Sequence, residues 1–169
     1  MTTKVRAPIL LSLAMVGITV VSMTHAQAPR ESDQAEVMAL NQRLIAAHNS
    51  KDVSAIMAFY SDDPNAIFFE DTIPLQLNKA ALTKANEFFK SVSDFHARME
   101  SVDVLVSGDL GVAHYIILTT WIDKSGTHSQ TSRYTGVDRK EGGKWLVWHE
   151  QFSVPFDPAT GKAVLDAKP

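Results

Sequence analysis

The 169-residue chain contains no cysteine. That absence excludes disulfides, a thiol nucleophile, a cysteine zinc site and lipid attachment through an N-terminal cysteine, and it leaves stability to the hydrophobic core. Basic runs are missing too, and the formal net charge is −3. A mildly acidic chain without clustered Lys or Arg offers no electrostatic footprint for nucleic acid or an anionic lipid surface. Internal repeats and low-complexity segments are also absent. No apolar run reaches the roughly 20 residues that a spanning helix needs.

The longest apolar run, Ile9 to Val21, follows Lys4 and Arg6 and holds Ser12, Gly17 and Thr19. Thr24 and Ala26 then stand where a signal peptidase reads small side chains, so residues 1–26 are expected to be a cleaved secretory signal. A cut after Ala28 would leave Pro29 beside the scissile bond, a poor protease substrate, which favours Ala26. The mature chain is one domain by length. It is expected to be exported, periplasmic or secreted, and free of the membrane after cleavage.

Residues 27–32 read as a flexible lead, and Asp33 with Glu36 as a helix start. Val37, Leu40, Leu44 and Ala47 recur at helical spacing, until Asn49-Ser50-Lys51 breaks the run. Asp52 caps a short second helix whose Val53, Ile56, Met57 and Tyr60 share a face, and Asp62-Asp63-Pro64-Asn65 is a turn. Ala66–Phe69 reads as a strand with Ile73–Leu77 as its partner, and Asn78 as the cap of a third helix carrying Leu82, Ala85, Phe88 and Phe89. After Ser93 the period changes to two. Strands are predicted over 94–106, 112–122, 128–138 and 144–153, joined by loops too short for parallel crossovers. Helices first and an antiparallel meander afterwards make an α+β fold, with three N-terminal helices on one face of a curled sheet. The domain is expected over 33–158, with 159–169 as a C-terminal tail.

Three segments then align with a known pattern: "LIAAHNSKDVSAIMAFYSDDPNAIFFED", "TSRYTGVDRKEGGKWLVWHEQFSVPFD" and "ATGKAVLDAKP". Together they resemble the SnoaL-like, ketosteroid-isomerase-like branch of the nuclear-transport-factor-2-like superfamily. The most specific part is Trp145, His149, Glu150, Ser153, Val154 and Pro155. The resemblance implies a cone-shaped fold with an internal pocket and a homodimer packed through the sheet. It does not imply one reaction, so activity has to come from the site.

Asp71 follows the apolar run Ile67-Phe68-Phe69, and ketosteroid isomerases carry a general-base aspartate in the equivalent loop. Their helix-one tyrosine, which holds the enolate oxygen, is replaced here by Leu44. Alternation along the last long strand groups Trp145, Val147, His149, Gln151 and Ser153 on one face. His149 is a second candidate base. Gln151 stands where the branch often has a second histidine, and a glutamine neither titrates nor ligates well. Arg133, on a face with Thr131 and Thr135, is the candidate anchor for a ligand carboxylate, or else a cross-strand partner of Glu150 or Glu100. His48, Tyr60 and Trp121 complete the candidate ligand-binding set. The expectation is a pocket for a small hydrophobic or carboxylate-bearing molecule, with no cofactor and no metal. Two alternatives stand beside it: a cofactor-free isomerase or lyase on a hydrophobic carbonyl compound, and a catalytically silent dimerisation module.

Overall fold

The computed structural model describes residues 31–167. The expected signal, 1–26, lies outside the described residues, as do residues 27–30 of the expected lead. Helix α1 (Glu31–Ser50) is already formed ahead of the expected start. Asp33 does not cap it; its carboxylate accepts a 2.7 Å bond from Lys140 Nζ instead. Val37, Leu40, Asn41, Leu44 and Ala47 form its buried stripe. The helix stops where Lys51 takes the left-handed conformation (φ 57°). Asp52 then caps α2 (Val53–Met57) through Ala55 N–H, and Asn78 caps α3 (Lys79–Ala85) through Ala81 N–H, both as expected. Past Ala85 the backbone tightens into a 3₁₀ helix, Asn86–Ser91, which turns Phe89 inward and leaves Phe88 43% exposed.

The sheet has the order β1-β5-β4-β3-β2, with β1 (Ile67–Phe69), β2 (Asp94–Ser107), β3 (Leu110–Asp123), β4 (Gly126–Glu141) and β5 (Lys144–Ser153). The four long strands are the predicted meander, with hairpins tighter than the loops expected. Gly142 and Gly143, both at positive φ (57° and 83°), supply the two left-handed residues that a two-residue hairpin turn demands. The partner expected for β1 differs. Ile73–Leu77 contributes a single bridge, Phe68 to Leu77, while β1 pairs in parallel with β5, Ile67 opposite His149. Nothing local in the sequence encodes that long-range pairing. The expected tail supplies β7 (Lys162–Ala163), which pairs with β6 (Phe156–Asp157) from the end of the expected domain, and the chain then returns to the sheet. Thr131 N–H, beyond the reach of β5, donates to Leu165 O at 2.8 Å. Among the described residues no helix is long and apolar enough to cross a membrane.

Two bulges interrupt the ladder. In β2 the register shifts between Glu100 and Asp103, where Ser101 has φ 53°. In β5, Val137 pairs with His149 but Asp138 with Val147, leaving Trp148 as the extra residue. An extra residue reverses the side-chain parity beyond it. Trp145 and Val147 therefore share the buried face with Glu150, and His149 and Gln151 are turned to the other side. The predicted grouping of His149 and Gln151 with Val147 is thus corrected.

The helices cover the inner sheet face, where Tyr115 stacks on Tyr134 with centroids 4.3 Å apart. Tyr134 leans along its own strand over Gly136. A Cβ at Gly136 would lie 2.4 Å from the Tyr134 hydroxyl oxygen and 2.8 Å from its ring carbons. The ring is fully buried between Tyr115 and Phe152 and has no room to step aside. Gly136→Ala is expected to cost about 1–3 kcal/mol, as overpacked cores do. Calorimetry should show a Tm lower by several degrees; an unchanged Tm would mean the Tyr134 ring is free to move.

Candidate functional site

The inner face of the sheet is built in cross-strand rows. Phe95 pairs with Trp121, which pairs with His128; Ala97 pairs with Thr119, which pairs with Gln130; Ile117 lies opposite Ser132; and Tyr115, Tyr134 and Phe152 form the next row. The alternation that makes these rows puts every second residue of β3 and β4 inward. Over them lie the last turns of α1, with Leu44, Ile45 and His48, and the 3₁₀ helix, with Phe88 and Phe89. The loop after β1, Glu70 to Ile73, closes one side. Between these elements is a cavity of about 240 Å³. Exposed Thr72 and half-exposed Phe88 lie on its lining and mark its mouth.

Its polar corner is small. Ser132 Oγ donates to Asp71 Oδ2 at 2.9 Å, and Gln130 Nε2 donates both to that oxygen and to Ser132 Oγ. Glu70, on the same loop, lines the cavity and makes no hydrogen bond among the described residues. Burial, followed by the neighbouring charge of Asp71, pushes the Glu70 carboxyl up to about 7. His48 bonds through Nδ1 to Leu44 O at 2.8 Å. A carbonyl only accepts, so Nδ1 carries the hydrogen and Nε2 keeps a free lone pair. Burial lowers the His48 pKa, against the raising effect of that carbonyl, so the ring is neutral at pH 7.

Behind the cavity lies a second acidic group. Glu150 and Asp138 are fully buried. Tyr60 donates its hydroxyl to Glu150 Oε2 at 3.0 Å, and Asn41 Nδ2 donates to Asp138 Oδ2 at 3.0 Å. The other oxygens, Glu150 Oε1 and Asp138 Oδ1, have no partner among the described residues. Burial pushes the Asp138 carboxyl up to about 7 against the Asn41 hydrogen bond. Burial, then the Glu70 charge, raises Glu150 well above the usual carboxylate range.

The candidate residues read from the sequence divide accordingly. Asp71, His48 and Trp121 line the cavity. Tyr60 does not; it is buried behind it, holding Glu150. His149 lies outside, with Nδ1 2.9 Å from Ile67 O and its ring edge-on to Phe69. Gln151 is exposed. Arg133 is corrected as well: it is exposed on the outer sheet face opposite Ile116, between the inward Ser132 and Tyr134. Neither expected salt bridge forms, because Glu150 faces the other way and Glu100 pairs with Arg98. On β4 alternation told which residues share a face, but not which face is covered. Glu70, Gln130 and Ser132 were not singled out, although Glu70 stands two residues from apolar Phe68, which marks a shared inward face. Among the described residues no three His, Asp or Glu side chains converge as a metal cage requires.

A family model described as SnoaL-like domain matches residues 37–157. Among solved structures, the chain is similar to an NTF2-like protein of unknown function from Pseudomonas putida. The two share 30% identity over 83% of this chain and 99% of that one, with a TM-score of 0.74. Two more distant neighbours share the fold. One is an NTF2-like protein of Streptomyces avermitilis with a provisional dehydratase name, at 14% identity, 75% and 99% coverage and a TM-score of 0.68. The other is a ketosteroid isomerase-like protein from Erwinia carotovora atroseptica, at 20% identity, 73% and 97% coverage and a TM-score of 0.62. No curated protein matches the chain.

The buried carboxyls carry a prediction. An acid whose pKa is raised in the folded state keeps a proton that the unfolded chain releases. Its stabilising share is therefore greatest below the ordinary range near 4 and is lost as pH rises toward about 7. Asp63, held down to about 2 by the Asn65 N–H and Arg139, titrates below this window. Asp138→Asn is expected to shrink the fall in Tm between pH 5 and pH 8 by a few degrees, with little change at pH 5. The same fall in the variant would remove Asp138 as its source.

Proposed function

The chain belongs to the SnoaL-like domain family, and from that premise we propose that it is an exported binding protein for a small, largely apolar molecule. The supporting observation is the cavity itself: an aromatic wall with one polar corner at Asp71, Gln130 and Ser132. At about 240 Å³ it lies below the roughly 300–1,000 Å³ of drug-sized ligand pockets. That volume suits a molecule of one or two rings. Pairing of two copies through the outer sheet face belongs to the same proposal. That face carries Leu105, 59% exposed, paired with Val112, and the row Glu100, Ile116, Arg133.

A second reading, a cofactor-free isomerase or lyase, is favoured by one observation. Among the described residues the Glu70 side chain has no hydrogen-bond partner, and burial raises its pKa to about 7, as suits a general base for neutral pH. It is better placed for this than His149, which is outside the cavity, or Asp71, which is engaged by Gln130 and Ser132.

Native mass spectrometry of the chain purified from its own source tests the first reading. The expected species is a dimer starting at Gln27 and carrying a reproducible extra mass. Ala85→Trp, which fills the cavity from α3, is expected to lose that mass and keep the fold. Retention of the same mass by the variant would place the ligand elsewhere, and an intact Met1 would remove export by cleavage.

The second reading is checked with 5-nitrobenzisoxazole. A carboxylate that takes its C3 proton breaks the N–O bond and releases a coloured phenolate. The opening rate is expected to rise through a pKa near 7 and to fall at least tenfold in Glu70→Gln. No acceleration over buffer would sink the catalytic reading.

A further inference from the structure

The cavity's charge is one-sided. Its titratable lining groups are Glu70, Asp71, neutral His48 and the Tyr115 phenol. Among the described residues, no lysine or arginine side chain lines it. The cation expected there, Arg133, is on the opposite face of the sheet, and so is Arg98, which is paired to Glu100. The rest of the wall is largely aromatic. Phe89 meets Phe95 edge-to-face at 4.9 Å, Phe88 lies 5.0 Å from Phe89, and Trp121 stacks on His128 at 5.0 Å.

Each feature argues for the same ligand charge. Aromatic faces carry partial negative charge and attract a cation within about 6 Å of the ring centre. Asp71 already accepts from Gln130 and Ser132, whereas among the described residues nothing donates to the Glu70 carboxyl. A carboxyl with no donor among the described residues, in an apolar cavity beside a second carboxyl, is relieved by a proton or by a cation that enters. A ligand carboxylate would meet two acids and no counter-ion. A neutral ring would gain packing but leave Glu70 as it is.

Taking the binding reading above as its basis, we propose that the cavity selects a small organic cation, an amine on one or two rings. Its ammonium group pairs with Glu70, and its rings lie against Phe89, Phe95 and Trp121. The amine supplies donors that Glu70 lacks among the described residues, and the cavity volume suits one or two rings.

Three probes of one shape separate charge from packing: 2-naphthylmethylamine, 2-naphthalenemethanol and 2-naphthoate. Titration calorimetry on the purified chain at pH 8 is expected to show the amine binding at least tenfold more tightly than the alcohol, with the naphthoate weakest. In Glu70→Gln that advantage is expected to disappear while the alcohol still binds, which also reports an intact cavity. If the alcohol binds and the amine binds no better, charge selection is overturned and the binding reading stands. An amine preference that survives in Glu70→Gln overturns the assignment to Glu70. Tight naphthoate binding overturns the sign of the selection. Binding of none of the three overturns both readings.

Discussion

The site depends on the parity of the sheet, and two extra residues set it. The bulge at Trp148 turns Glu150 inward with Val147 and sends His149 and Gln151 outward. The bulge around Ser101 does the same for β2, carrying the inward positions from Ala97 to Val104 and Val106. Without the first, β5 would offer a histidine and a glutamine to the interior instead of a carboxyl and a phenylalanine. Parity is costly to change, because a one-residue slip exchanges an entire buried face for an exposed one. The helices then have a defined surface to cover, and the space they leave uncovered is the cavity.

The interior that results is acidic to an uncommon degree. Glu150 and Asp138 lie fully buried behind the cavity, and Glu70 lies on its lining. Burial is the largest influence on all three, and it outweighs the hydrogen bonds from Tyr60 and Asn41. Removing an ion from water costs more than one neutral donor returns, so both inner carboxyls keep their protons to higher pH than free carboxyls do. Glu70 differs because it faces the cavity rather than packed side chains, and a ligand can reach it. A ligand can therefore meet charge at the cavity wall, whereas the carboxyls behind it answer to pH alone.

Membership of the SnoaL-like family accounts for the frame and not for the chemistry. Leu44 lines the cavity on α1, and a leucine cannot hold a developing oxyanion. The polar equipment that remains is a carboxyl without donors, a second carboxyl held by an amide and a hydroxyl, and a neutral imidazole with an open lone pair. Such a set accepts protons and hydrogen bonds more readily than it donates them. This preference is what links the binding, proton-transfer and cation readings.

By itself the sequence determined the elements and their order: the stripe of α1, the caps Asp52 and Asn78, the tight hairpins and the antiparallel meander. These follow from contacts a few residues apart, through side-chain period, capping chemistry and turn residues, and they are written locally. It also pointed to Asp71, His48 and Trp121, which the fold brings to one cavity. Which face of each strand is covered was decided only by the tertiary structure. Arg133 and Gln151 fell on the outer side because period two fixes relative and not absolute orientation, and because a bulge is a mismatch between two strands. The parallel pairing of β1 with β5 and the raised carboxyls of Glu70, Asp138 and Glu150 were decided at the same level. Each depends on what residues far apart in the chain place around a group, and the local pattern does not carry that information.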